Sequence, residues 1–211
     1  MRKQPPAQAA RAPKPSPKPP VARGIRLFDP KAPYLVPLVV ALAARIWQAF
    51  MIPFASEDAY ITFRFAENWA HGLGPVYNAG ERVMGFSSPL WTAWLALGSV
   101  AFGPVFTFAR VSAVVLDLGA LALGCRLLEQ EHGPRSAWIF GLFFAIHPIF
   151  AANSVLGMET SLFLFLLMAS ASVVRAHSRA TGVLIGLLAL VRPEGVLAAA
   201  IAAVAAPARQ R

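Results

Sequence analysis

Three stretches of the 211-residue chain set ionisable side chains against long apolar runs: Ser56-Glu57-Asp58, Asn153 to Glu159, and Arg192-Pro193-Glu194. A carboxylate at the edge of a membrane can accept a proton, or hold a divalent cation, while it faces a lipid-borne substrate. Asp58, with Glu57 beside it, has that position. Ser56 followed by two acids is equally an ordinary helix start, where acids suit the positive end of the helix dipole. Glu159 is a second acid at a run boundary, with Asn153 and Gly157 beside it. If both boundaries share a side, Asp58 and Glu159 converge on one cavity, and such carboxylate pairs are candidates for acid/base or metal work. Arg192 and Glu194 interrupt an apolar run, where ionisable residues turn to the protein interior or a water-filled cavity. A planar guanidinium there suits phosphate, because it binds two oxygens at once. Arg45 and Asp117 fall near the centres of two runs, at similar depth, and we read them as a structural ion pair; Asp117 alone would be a proton-relay residue, as in a transporter.

The elements that must position these residues are apolar helices. Hydrophobic residues make up 57% of the chain and charged ones 14%, with mean hydropathy +0.57; soluble domains average about 45–50% and about 25%. This balance excludes both a soluble globular enzyme and a wholly disordered chain. The single cysteine, Cys125, excludes an internal disulfide, and no Cys/His spacing fits structural zinc. Net charge is +9, but residues 1–33 hold 8 of the 19 Lys+Arg and one acid, Asp29, so the tail carries +7 and the other residues +2. The basicity therefore belongs to a tail, not to a nucleic-acid surface. Residues 1–33 also hold 9 of the 18 prolines, which predicts an extended, disordered, cytoplasmic segment able to touch anionic lipid. Residues 207–211 form a short basic C-terminus.

Between these ends, residues 34–206 read as an all-α, polytopic membrane helix bundle. Apolar runs cover 34–54, 89–103, 106–127, 136–150, 161–174 and 181–206. A span needs about 20 residues; the first and third runs satisfy this directly, and 136–150 and 161–174 do so with weakly polar flanks. The 89–103 run would be only about 22 Å long as a helix. Counting it as a crossing would put the Arg175/Arg179 loop opposite the basic tail; leaving it in the interface keeps both inside, as the positive-inside rule asks, with Trp91 and Trp94 at headgroup level. The expected topology is tail inside, an outer segment over 55–105 after the first span, then three further spans. The 181–206 run is either one kinked helix or two short segments meeting at Arg192-Pro193-Glu194.

In the outer segment, Tyr60, Ile61, Phe63, Phe65, Ala66 and Trp69 recur at helical spacing, predicting an amphipathic helix ended by Gly72-Leu-Gly74-Pro75, with a turn at Asn78-Ala-Gly80.

The motifs EDAYITFRFAENWAHGLGPVYNAGERVMGFSSPLW, GMETSLF and LVRPEG, in that order, resemble the N-terminal part of the GT-C superfamily of integral-membrane glycosyltransferases, especially the bacterial branch similar to mycobacterial cell-wall arabinofuranosyltransferases. The resemblance spans about residues 34–200. It implies a polyprenyl-phosphate sugar donor, an extracytoplasmic glycan, lipid or protein acceptor, and a multi-pass protein of the inner (plasma) membrane working on its outer side. The family's acidic first-loop residue maps to Asp58, with Glu57 beside it, and its juxtamembrane helices to 59–71 and 89–103. In that chemistry Asp58 deprotonates the acceptor, directly or with a divalent cation, and Glu57 and Glu159 accompany it. Arg64, Arg82 or Arg192 stabilise the departing phosphate, and Tyr77 and Glu194 join them in binding substrate. Family members have more spans, so the length predicts a truncated product, a piece of a split protein or a fragment. An inactive scaffold and a small transporter are the competing classes.

Overall fold

A computed structural model describes residues 34–81, 83–174 and 179–205. The tail (1–33), Arg82, loop residues 175–178 and residues 206–211 lie outside the described residues, and with them the readings made there. Among the described residues all regular structure is helical: α1 (Leu35–Met51), α2 (Glu57–Ala70), α3 (Pro89–Phe102), α4 (Val105–His132), α5 (Pro134–Ile146), α6 (Pro148–Asn153), α7 (Thr160–Val173), α8 (Arg179–Val191) and α9 (Gly195–Ala205).

The 28 residues of α4 rise about 42 Å, and this helix alone is long and apolar enough to cross a membrane among those described. Three of the other apolar runs are cut by proline. Proline has no N–H to continue the helical ladder and disfavours helix in the residue before it. Pro53 ends the first run, so α1 stops at Met51 and not at Phe54. Pro148 splits the 136–150 run into α5 and α6, with His147 extended at ψ 120°. The last run is two helices, the second of the two readings: Gly195 lies against the backbone of Leu188, and Ile185 and Ile201 line one groove, so α9 folds back on α8.

Three buried clusters build the bundle among the described residues, one of them joining Leu166 of α7 to Leu188 and Val191 of α8. At one end Tyr34 and Ala41 of the first helix pack with Leu121, Cys125, Ala137 and Phe144 of α4 and α5. Gly141 makes this approach close, since a Cβ there would meet Pro37 at 2.8 Å and Cys125 Sγ at 2.9 Å; small residues at helix contacts allow such packing. At the other end Ala59, Phe63 and Ala66 of α2 and Trp91 and Leu95 of α3 pack on Val105, Ala109 and Ala113 of α4. The α2–α3 pair thus caps the end of the bundle where α1 stops and α4 starts, which we term the α2 end.

Pro53 and Pro148 each also orphan a carbonyl four residues back, and in both cases an arginine from another helix supplies the missing donor. Ala49 O, opposite Pro53, accepts from Arg110 Nη1 at 3.1 Å. Phe144 O, opposite Pro148, accepts from Arg45 Nη2 at 3.3 Å.

Candidate active site

Glu57 and Asp58 form the first turn of α2, where acids meet the positive helix end. They are exposed, and no hydrogen bond or ion pair occupies them among the described residues. Ser56 takes the extended N-cap conformation, but its hydroxyl makes no cap bond; its backbone N–H instead donates to Leu156 O at 2.9 Å. The helix start is therefore held from outside itself.

The holding segment is the link between α6 and α7. Three successive carbonyls in it accept from three different elements: Val155 O from Arg110 Nε of α4 at 3.0 Å, Leu156 O from the Ser56 N–H, and Gly157 O from Trp91 Nε1 of α3 at 3.1 Å. Gly157 has φ +85°, and a Cβ there would stand 2.6 Å from Phe63 Cζ of α2. Only glycine meets both conditions without strain.

Two residues beyond, Glu159 is buried and its Oε1 accepts from Arg192 Nε at 2.8 Å; the side chains are 7% and 36% exposed. The structure thus brings together Glu159 and Arg192, which sequence reasoning singled out separately. Glu159 has its carboxylate engaged, whereas the Glu57 and Asp58 carboxylates are open. Glu194 is exposed at the rim of an apolar groove of about 350 Å³ between α7, α8 and α9.

Of the remaining candidates, Arg64 sits in the middle of α2 and Tyr77 in the loop after it. Arg64 Nε donates to Tyr77 O at 3.3 Å, and buried Asn68 donates to Val76 O and Tyr77 O, each at 2.8 Å. The Tyr77 ring lies 5.8 Å from that of Phe65 and keeps its other side open. These bonds strap the 72–80 loop to α2. No hydrogen bond or ion pair joins Asp58 to Glu159, Arg64 or Arg192 among the described residues, and Arg82 lies outside them.

A divalent cation takes six or more oxygen ligands, or fewer when waters complete the set. Among the described residues no three His, Cys, Asp or Glu side chains gather to hold one. Asp58 and Glu57 are two adjacent carboxylates with no third such ligand beside them among the described residues, so the donor set does not fit a resident metal.

Arg45 and Asp117 lie together in the interior, Nε to Oδ2 at 2.8 Å. Arg110 is the residue that sequence reasoning missed. Its partners are backbone carbonyls, which leave no acidic residue in the sequence to pair it with; the usable signal was Pro53, which strands Ala49 O.

Over 79 residues the chain is 34% identical to the terminal beta-(1->2)-arabinofuranosyltransferase of Mycobacterium tuberculosis (strain ATCC 25618 / H37Rv). Over that stretch it is similar to a glycosyltransferase. The match takes in 36% of this chain and 13% of the relative's length. No protein-family profile matches the chain, and no solved structure does.

Proposed function

We propose that the chain is a multi-pass membrane glycosyltransferase, or the N-terminal module of one, which transfers a sugar from a polyprenyl-phosphate donor to a cell-envelope acceptor. The observation that carries this reading is the open carboxylate pair at the start of α2, held by the segment that leads into Glu159, the partner of Arg192. The partial likeness to an arabinofuranosyltransferase supports the same class of chemistry. Large apolar side chains on the outer faces of α1, α4 and α5, among them Trp47, Phe50, Val115 and Ile139, suit lipid better than water.

In this reading Asp58 accepts the proton of an acceptor hydroxyl as its oxygen attacks the anomeric carbon. The bond from that carbon to the phosphate oxygen breaks, and the lipid phosphate leaves with the electron pair. Arginine neutralises the charge that develops on it: Arg192 has its Nε engaged by Glu159, which orients the rest of the guanidinium, Arg64 lies on α2 about two turns past Asp58, and Arg82 is the third arginine of the proposal. Tyr77 and Glu194 would contact substrate. The α2 end faces the extracytoplasmic side of the inner membrane, and the basic tail faces the cytoplasm.

The test is transfer of a labelled sugar from polyprenyl-phosphate donors by the full chain in nanodiscs. Asp58→Asn should lower the rate by about 10²–10⁴ with insertion unchanged. Activity within a few-fold of wild type would remove Asp58 from the mechanism. Absence of transfer by the wild-type chain from every donor tried would favour the scaffold reading.

A further inference from the structure

We propose that Arg110 is the positioning residue of this site. It fixes the start of α2, which carries Glu57 and Asp58, relative to the segment that carries Glu159.

Arg110 lies in the second turn of α4, half-buried, with Phe106 under its guanidinium at 4.5 Å. On one side Nη1 donates to Ala49 O at 3.1 Å, and Nη2 donates to Ile52 O and, at 3.3 Å, to Phe54 O. On the other side Nε donates to Val155 O at 3.0 Å. One side chain thus serves four carbonyls on two segments that are far apart in sequence. Only arginine does this, because its five N–H donors form a rigid planar fork, whereas lysine offers three donors on a single atom.

The segment so held has little else to hold it. Residues 52–56 form no helix, and Pro53 contributes no donor. Among the described residues, and besides Arg110, Ser56 N–H to Leu156 O at 2.9 Å and Ala55 N–H to the Tyr60 hydroxyl at 3.4 Å tie this connection down, while Ile52 N–H to Gln48 O at 2.8 Å closes the end of α1. The first of these lands next to Val155, on the very stretch that Arg110 grips. The angle at which α2 leaves α1 is therefore set against 155–156, with Arg110 as the common anchor. Asp58 lies four residues past Phe54, the last carbonyl that Arg110 holds on one side; Glu159, which pairs with Arg192, lies four residues past Val155 on the other.

A base and the group that stabilises the leaving phosphate must keep a fixed separation, and an error of about 1 Å in such geometry costs about 10² in rate. The positioning role rests on the sugar-transfer reading above; the latch itself does not. The experiment separates the two, using the full chain in nanodiscs with Arg110→Lys and Arg110→Ala. Hydrogen exchange is followed by mass spectrometry over 49–60 and 152–160, with α5 as reference. Both segments should exchange about tenfold faster or more in Arg110→Ala, less so in Arg110→Lys, while α5 is unchanged. In sugar transfer, kcat should fall by about 10–10²-fold with KM for the lipid donor within about threefold. Unchanged exchange in either segment, or loosening of all helices alike, overturns the latch. Faster exchange with unchanged kcat overturns the positioning role. If the wild-type chain transfers no sugar, the transfer reading and the positioning role fall together, and exchange still decides the latch.

Discussion

Arg45 donates Nε to Asp117 Oδ2 at 2.8 Å in the bundle interior, with the two side chains 0% and 1% exposed. The same guanidinium reaches Ala145 O at 2.6 Å and Phe144 O at 3.3 Å, in the last turn of α5. Arg45 therefore both neutralises a buried acid and caps a helix cut short by Pro148. Breaking a buried pair by removing one partner costs about 3–5 kcal/mol, so Arg45→Leu and Asp117→Leu should each lower stability in detergent. Arg45→Leu should cost about 1 kcal/mol more, because it also abandons two carbonyls. The double Leu variant should recover most of the Asp117 part and none of the cap. Additive losses in this cycle would show that the two side chains are not coupled.

Gly157 is expected to tolerate no side chain. Its φ of +85° costs an L-residue about 1–2 kcal/mol, and a methyl group would press into Phe63 of α2 at 2.6 Å. Gly157→Ala should lower the melting temperature and loosen the link to Ser56. Gly182→Ala and Gly186→Ala are the controls: nothing lies within 4 Å of either, and alanine suits the interior of α8. Equal effects at all three positions would contradict the packing described.

Much of this architecture is written in the residues. Apolar runs located the helices, and Gly72 and Gly74, both at positive φ, do end α2. Where reading fell short, backbone hydrogen bonding was the reason. Pro53 and Pro148 shorten helices that hydropathy alone would extend, because a hydropathy sum does not register a missing N–H. Glu57 and Asp58 stood out as charges at a boundary; that Ser56 is held through its N–H by Leu156, and Gly157 by Trp91, involves main-chain groups that every residue possesses. Glu159 and Arg192 were each visible, but 33 residues separate them, and only the packing of α7 on α8 makes them a pair.

That pair should respond asymmetrically. Arg192→Gln leaves the Glu159 carboxylate, 7% exposed, without its cation, whereas Glu159→Gln leaves a guanidinium that is 36% exposed and stays hydrated. A lost partner is costlier where water cannot replace it. The melting temperature should therefore fall further in Arg192→Gln than in Glu159→Gln. The opposite order would mean that Glu159 does not depend on Arg192 for its charge.

Sidedness decides whether the α2 end can serve an extracytoplasmic reaction. The α4 helix starts at that end and runs about 42 Å to the end where Tyr34 of the first helix, Cys125 and Ala137 pack together. The 8 Lys+Arg of residues 1–33 precede Tyr34, while Glu57, Asp58, Glu67 and Glu81 lie at the α2 end; cytoplasmic segments collect Lys and Arg. Two exposed positions report the ends: Ala79, in the turn after α2, and Gln130, in the last turn of α4. In a Cys125→Ala background, Ala79→Cys should react with a membrane-impermeant thiol reagent on intact cells, and Gln130→Cys only after the membrane is opened. The reverse pattern would turn the Asp58 carboxylate to the cytoplasm and end the extracytoplasmic reading. Reaction of both on intact cells would show that α4 does not cross the membrane, since a spanning helix cannot show both ends to one side.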